Sequence, residues 1–220
     1  FGPINLQPVG DVIKHGAQGL IGALIIEPAG ATYRNLAGTA NLPSGTEAKI
    51  THIDNGAPKS FKELVLLYQD GLNLYQNGTP VPDSRVSDAN VEAEEVGQAA
   101  INYRTEPFWA RLTHRFNTSI GPEGDYNDIV FPATFMLGAI ETPVFKANAG
   151  DAVRFRVLLP TGRTRQRSFS VFGHDYYDLG LPNFGSAGSS LLAPGKAITA
   201  DLIGGAKPGT WLYRDGPAHL

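Results

Sequence analysis

Residues 149–160 read Ala-Gly-Asp-Ala-Val-Arg-Phe-Arg-Val-Leu-Leu-Pro, a Gly-Asp turn followed by a strand-like stretch. Three apolar residues, Val153, Phe155 and Val157, alternate here with Arg154 and Arg156. This period of two is typical of a β-strand with one buried face, because successive side chains point to opposite sides of a strand. The stretch therefore predicts a half-buried strand, and the other segments can be placed around it.

Three further segments continue the β pattern. Residues 168–175 read Ser-Phe-Ser-Val-Phe-Gly-His-Asp and alternate in the same way, and residues 208–215 read Pro-Gly-Thr-Trp-Leu-Tyr-Arg-Asp. Residues 63–70, Glu-Leu-Val-Leu-Leu-Tyr-Gln-Asp, form an almost continuous apolar run suited to a buried strand. Because 26 glycines and 16 prolines supply many turns, the sequence predicts an all-β protein of short strands.

Composition excludes several classes of function. The chain has 220 residues, which is enough for one large β domain or one and a half sandwiches. Its net charge of -3 gives no reason to expect binding to nucleic acid or to an anionic membrane. The apolar run at residues 20–26 is too short to span a bilayer and predicts a buried strand.

The chain contains no cysteine. This excludes disulfides, thiolate nucleophiles and thiolate metal ligands within these residues. The sequence also contains neither the Gly-x-Ser-x-Gly elbow of the hydrolases nor a phosphate-binding Gly-x-x-x-x-Gly-Lys loop. Hydrolases and nucleotide-binding enzymes therefore find no support.

Residues 149–160, 168–175 and 208–215 together resemble the cupredoxin domains of multicopper oxidases, where "GDxVRFRV", "HxxHxHGH" and "PGTWxYHCH" strands occur. Residues 12–28 resemble the terminal cupredoxin segment "HCHIxxHxxxGMxGxxxV", and residues 102–112 are similar to large bacterial, manganese-oxidase-like members. The resemblance implies a cupredoxin-like Greek-key β-sandwich. One nearly complete domain would occupy residues 55–220, preceded by a linker or loop at 34–54 and by the terminal strands of another domain at 1–33. We also expect the chain to be part of a longer polypeptide.

The same resemblance locates the family's copper ligands in this chain. In the terminal segment, His15 falls on the last histidine, Gly10 on the copper-binding cysteine and Leu20 on the axial methionine. A blue copper site depends on its thiolate, so His15 alone is not expected to hold the ion. A histidine at the end of a strand is the simpler interpretation.

Most copper ligands of the main domain are replaced. Arg167, Ser170 and Phe172 take histidine positions that bind copper in the family, whereas His174 takes the last histidine of that string, which generally binds none. In the closing motif, Arg214 replaces a histidine, Asp215 the cysteine and Gly216 another histidine; His219 lies one residue before the downstream histidine position. The arginines oppose a cation by their own charge, and Asp215 could pair with one of them.

These substitutions imply a copper-free, cupredoxin-like segment that provides scaffold and domain interfaces within a multicopper-oxidase-like protein. We expect no cofactor in this segment, and copper only in the parent protein or a partner chain. That parent would oxidise metal ions or small reductants with dioxygen, and its location would be extracellular, periplasmic or at the cell surface. The alternative is a non-enzymatic structural or assembly protein that kept the sandwich and lost its copper. Other cupredoxin domains or subunits are the expected partners under either hypothesis.

Two further readings of the sequence are less favoured. The acidic residues at 83–95, or Asp125 and Asp128, could bind Mn²⁺ or Ca²⁺ through oxygen ligands, but a solvated segment explains them more simply. Asn77 and Asn117 match the glycosylation acceptor pattern, which often arises by chance.

Overall fold

The computed structural model describes residues 2–42, 45–73, 75–76, 78–80, 98–102, 144–162, 166–178 and 185–214. Within these ranges the chain forms β-strands and one short helix, α1 (Val12–Ala17). The strands are β1 (Pro3–Leu6), β2 (Gly22–Ile25), β3 (Thr32–Arg34), β4 (Glu47–Asp54), β5 (Ala57–Leu72), β6 (Tyr75–Gln76), β7 (Thr79–Pro80), β8 (Gln98–Ile101), β9 (Val153–Leu158), β10 (Arg167–Val171), β11 (Tyr176–Asp178), β12 (Ser186–Ala187), β13 (Ser190–Leu192), β14 (Ala197–Leu202) and β15 (Tyr213–Arg214).

A large mixed sheet has the strand order β12-β11-β14-β9-β5-β4-β3, with β8 paired to β5 as well. Its two central strands, β5 and β9, run parallel, from Lys62 opposite Val153 to Leu67 opposite Leu158. The other pairs in this sheet are antiparallel. The segments at 63–70 and 149–160 are therefore neighbours at the centre of the fold.

One face of the large sheet packs on a small sheet of order β13-β10-β15. Leu64 and Leu66 of β5 and Phe155 of β9 share a buried cluster with Phe169 and Val171 of β10. The ring centroids of Phe155 and Phe169 lie 5.4 Å apart. Because two sheets enclose a common apolar core, the predicted all-β sandwich is confirmed.

The opposite face of the large sheet is covered as well. The hairpin of β1 and β2 packs Ile21 and Ile25 against Val65, Leu67 and Leu158. Alternate residues of β5 therefore enter two different apolar clusters, and the fold has three layers: hairpin, large sheet and small sheet. This explains why the run at 63–70 lacks the alternation of a half-exposed strand.

Two expectations about the first 54 residues differ from the structure. The run at 20–26 was predicted as a buried strand, but Leu20 is 62% exposed and Leu24 is 48% exposed, because the hairpin turns only one face to the sheet. The predicted linker at 34–54 contains β4, which pairs with β5 along its length and buries Ile50 completely. The division of the chain into two domains stays a prediction. In the described residues, no helix has the length and hydropathy needed to cross a membrane.

Candidate functional site

Gly10 and His15, the two N-terminal positions that the resemblance aligns with copper ligands, are close in space. A Cβ atom at position 10 would lie 3.9 Å from Cε1 of His15. His15 belongs to α1 and not to a strand end as expected, because Asp11 caps this helix by accepting a hydrogen bond from the Lys14 amide at 2.8 Å. The sequence analysis did not predict this helix, although its capping aspartate was a readable signal.

The two motif segments of the main domain are also neighbours. Strand β15 pairs with β10 so that Arg214 lies opposite Ser170 and Tyr213 opposite Val171. Ser170 and Arg214 alternate with core residues, so they belong to the face of the small sheet that points away from the large one. Phe172 follows β10 and is 50% exposed.

Arg167 lies between the two sheets. Its guanidinium donates a hydrogen bond to Oδ1 of Asp70, on β5, at 2.8 Å, and the two side chains are 13% and 7% exposed. Arg167, which the resemblance aligns with a copper-binding histidine, therefore forms a mostly buried ion pair that joins one sheet to the other. The carboxylate comes from β5, far away in sequence.

His174 uses both ring nitrogens for backbone contacts. Nδ1 lies 3.1 Å from the Phe172 carbonyl, and Nε2 accepts a hydrogen bond from the Lys207 amide at 3.0 Å. The ring meets Trp211 edge-on at 5.3 Å between centroids and is buried. These contacts hold the turn after β10 against the segment before β15, and neither nitrogen is left for a metal.

Several predicted site residues lie outside the described ranges. They are Asp215, Gly216, His219, Asp125, Asp128, Asn77, Asn117 and the acidic segment 83–95. The proposed pairing of Asp215 with an arginine stays a prediction for the same reason. Among the residues that the structure does describe, no three histidine or acidic side chains are grouped so that they could hold a metal ion.

Comparison with known proteins adds little. No protein-family model matches the chain, and no curated protein matches it. Among solved structures, the crystal structure of Lac15 from a marine microbial metagenome is similar, with 13% sequence identity and a TM-score of 0.28. The match covers 80% of this chain and 37% of that one. Similarity at this level assigns no activity, and the architecture above rests on strand order and packing.

The most heavily charged buried site is one that the sequence analysis missed. Arg156, on β9, is 1% exposed. It donates hydrogen bonds to Oε2 of Glu63 at 2.9 Å and to Oγ1 of Thr199 at 2.6 Å, and a third to Oε1 of Glu27. The prediction of a half-buried strand was therefore wrong for this residue: the hairpin covers the arginine face of β9 and brings Glu27 to it.

A second arginine borders this site. Arg154 donates two hydrogen bonds to Asp201, from Nε at 2.5 Å and from Nη2 at 2.8 Å. Its Nη1 lies 4.0 Å from Oε2 of Glu27, a buried oxygen that accepts no hydrogen bond from the described residues. Arg154 also lies over the ring of Phe61, 4.3 Å from the centroid, which adds a cation–π contact.

Glu63 and Glu27 are the two carboxyl groups that share Arg156. Burial, followed by a hydrogen bond with the Glu27 carboxyl, raises the pKa of Glu63 from 4.5 to about 7, although Arg156 opposes the shift. Glu63 therefore keeps its proton up to about neutral pH. A charged residue at the start of an apolar run was the signal in the sequence, since buried charges in proteins are paired.

Proposed function

We propose that this chain is a copper-free, cupredoxin-like scaffold segment of a multicopper-oxidase-like protein, and that it supplies domain interfaces in place of a reaction centre. The observation that carries the proposal is the Arg167–Asp70 ion pair, at a position where the resemblance implies a copper-binding histidine. A guanidinium stays positively charged at every accessible pH, so a copper ion placed there would be repelled and not coordinated.

The surroundings of His174 support the same proposal. Both nitrogens of this ring have backbone partners. Binding a metal at Nε2 would break the hydrogen bond from Lys207, leaving a buried amide without its acceptor at a cost of about 1–3 kcal/mol. With no thiolate in the chain to compensate, copper gains too little from this site to displace the bond.

Copper binding by the isolated chain tests the proposal. The purified chain is incubated with Cu²⁺, and separately with Cu⁺ under reductant, then dialysed and analysed by elemental mass spectrometry. We expect only substoichiometric copper and an unchanged unfolding temperature. One tightly held copper per chain that raises the unfolding temperature would overturn the proposal.

A second candidate function is a structural or assembly protein, and the outer face of the β1–β2 hairpin is compatible with it. Ile4 and Leu24 lie opposite each other and are 44% and 48% exposed, and Leu6 is 48% exposed. Exposed apolar clusters of this kind are typical of surfaces that contact another protein or domain. Such a face fits a domain interface inside a larger oxidase and an interface between separate subunits equally well.

The protein isolated from its native source separates the two functions. Several copper ions per particle, with this chain as part of a longer polypeptide or of a copper-bearing complex, would support the oxidase scaffold. A copper-free particle containing this chain would support the assembly protein. Elemental mass spectrometry combined with light scattering gives both quantities on one sample.

A further inference from the structure

The buried ionic site contains more acid than base. Three carboxyl groups, those of Glu27, Glu63 and Asp201, meet two guanidinium groups, those of Arg154 and Arg156. Asp201 already has a two-point contact with Arg154, so these two groups neutralise each other. Arg156 alone then faces two carboxyl groups, and full ionisation would leave one uncompensated negative charge in a buried site, which is unfavourable.

The two acids belong to different layers of the fold. Glu63 is part of β5 in the large sheet, whereas Glu27 follows β2 in the hairpin layer. Apart from Glu27, the hairpin is held by a small apolar cluster around Ile25 and by a hydrogen bond from Asn5 Nδ2 to the Gly195 carbonyl at 2.7 Å, and its outer face is exposed. The contact of Glu27 with Arg156 adds the ionic contact between the hairpin layer and the large sheet.

We propose that the Glu27–Glu63 pair is a proton-dependent latch, which holds the β1–β2 hairpin on the large sheet while one proton is shared and loosens it when both acids ionise. The shared proton removes the excess charge and makes a hydrogen bond between the two layers. Its loss places two negative groups together against a single cation, and the layer that can move away from this repulsion is the hairpin.

The pKa of Glu63 supports this proposal, because a value of about 7 places the loss of the proton near neutrality. Burial also raises the pKa of Tyr33, a phenol influenced by both acids, so it stays neutral across this range. The segments Pro3–Leu6 and Gly22–Ile25 contain no ionisable side chain.

Other ionisable groups lie near the latch. On the large sheet, His52 lies further along the same face, against the ring of Phe61 at 6.1 Å. The connection between β1 and β2 carries Asp11, Lys14 and His15 in and around α1. Because histidines change charge near neutral pH, His52→Gln and His15→Gln are the variants that separate their effects from that of the latch.

Hydrogen–deuterium exchange of the whole chain, read by mass spectrometry between pH 5.5 and 8.5, tests the latch. Labelling times are scaled to the intrinsic exchange rate at each pH. We expect the protection of peptides covering 2–6 and 20–28 to fall at least about tenfold, the equivalent of one pKa unit, while peptides from β9 remain protected.

Glu63→Gln is the deciding variant, because a glutamine imitates the protonated acid: it can donate to Glu27 and accept from Arg156. Hairpin protection should then be high and independent of pH. Glu27→Gln should give the same result and serves if the first variant fails to fold. The pH dependence must persist in both histidine variants. The proposal is overturned if wild-type hairpin protection does not change with pH, if the change survives in the glutamine variants, or if a histidine variant abolishes it.

Discussion

Replacing Arg156 with methionine tests the central charge of the fold most directly. Methionine has a similar length and suits an apolar interior, so the change removes the guanidinium and leaves the packing largely filled. The arginine is 1% exposed and donates to Glu63, Thr199 and Glu27. After the substitution, the two buried carboxyl groups lose the cation that they share, and Glu27 keeps the longer contact to Arg154 at 4.0 Å.

The expected loss follows from that arrangement. Removing one partner of a buried ion pair typically costs about 3–5 kcal/mol, because the remaining charge stays buried without compensation. We expect Arg156→Met to lower the free energy of unfolding by that amount at pH 7.5. At pH 5 the loss should be smaller, since Glu63 is then protonated and one negative charge fewer is left without its cation.

Urea denaturation followed by circular dichroism measures this change, and the chain offers a matched control. Lys59 and Asp54 form an exposed ion pair with side chains 61% and 37% exposed, so Lys59→Met should leave the free energy of unfolding nearly unchanged. The triple variant Glu27→Gln, Glu63→Gln, Arg156→Met removes the three charges that meet at Arg156 and should recover at least half of the loss. If Arg156→Met costs no more than Lys59→Met, or if the triple variant recovers nothing, the buried site does not stabilise the fold as argued.

Three further predictions concern single positions. The folded pKa of Glu63 is raised from 4.5 to about 7, so its contribution to stability is fully present below pH 4.5 and is lost as pH rises through 7. In urea titrations, the difference in unfolding free energy between wild type and Glu63→Gln should therefore change by about 3 kcal/mol between pH 4.5 and 8.5. A constant difference would contradict this. Gly173→Ala should lower the unfolding temperature clearly more than Gly56→Ala. Both positions have positive φ, +72 and +80, but only at position 173 would the added methyl group overlap a side chain, the ring of Trp211. Equal shifts would show that the ring moves aside. Gly10→Cys should place a thiol beside His15. With Cu²⁺ added, this variant should still show no intense absorption near the red end of the visible spectrum, since two ligands do not complete a blue copper site. Such a band would refute this.

Strand patterns predicted the centre of the fold well. The alternation around Phe155 and the run at 63–70 identified the two strands that lie side by side, and the apolar residues predicted to be buried in β9 and β10 are buried. Local periodicity predicts these strands correctly because each has an apolar face wide enough to require burial against a core on at least one side.

The same patterns could not show what covers the second face of β9. The sequence places Arg156 at a solvent-facing position of a half-buried strand, and its burial becomes visible only when the position of its partner is known. That partner, Glu27, is 129 residues away in sequence, so no local window contains both. Asp70, which neutralises Arg167 from 97 residues away, was missed for the same reason. In a single sequence, an ion pair at this separation leaves no pattern.

Helix α1 and strand β4 were missed for a different reason. Both lie in segments whose sequence is locally ambiguous: α1 has only six residues, and β4 is polar, with Glu47, Lys49 and Asp54 among its eight residues. Short helices gain most of their stability from tertiary contacts, and β4 is held by pairing with β5 along its whole length. Their existence depends on neighbours that local reasoning does not supply.

The two buried ionic sites suggest how three layers keep their alignment in a chain without cysteine. Apolar contacts favour burial but have no direction, so they specify the relative position of two layers poorly. A guanidinium between sheets does have direction, because its hydrogen bonds require a carboxylate in one place. Arg167 with Asp70 joins the small sheet to the large one, and Arg156 with Glu27 joins the hairpin to the large sheet from the other side. A slip of one residue in β10 would turn Arg167 away from Asp70 and leave that carboxylate buried without a partner. Each ion pair therefore makes misaligned layers less stable, even where its net contribution to the stability of the correct fold is small.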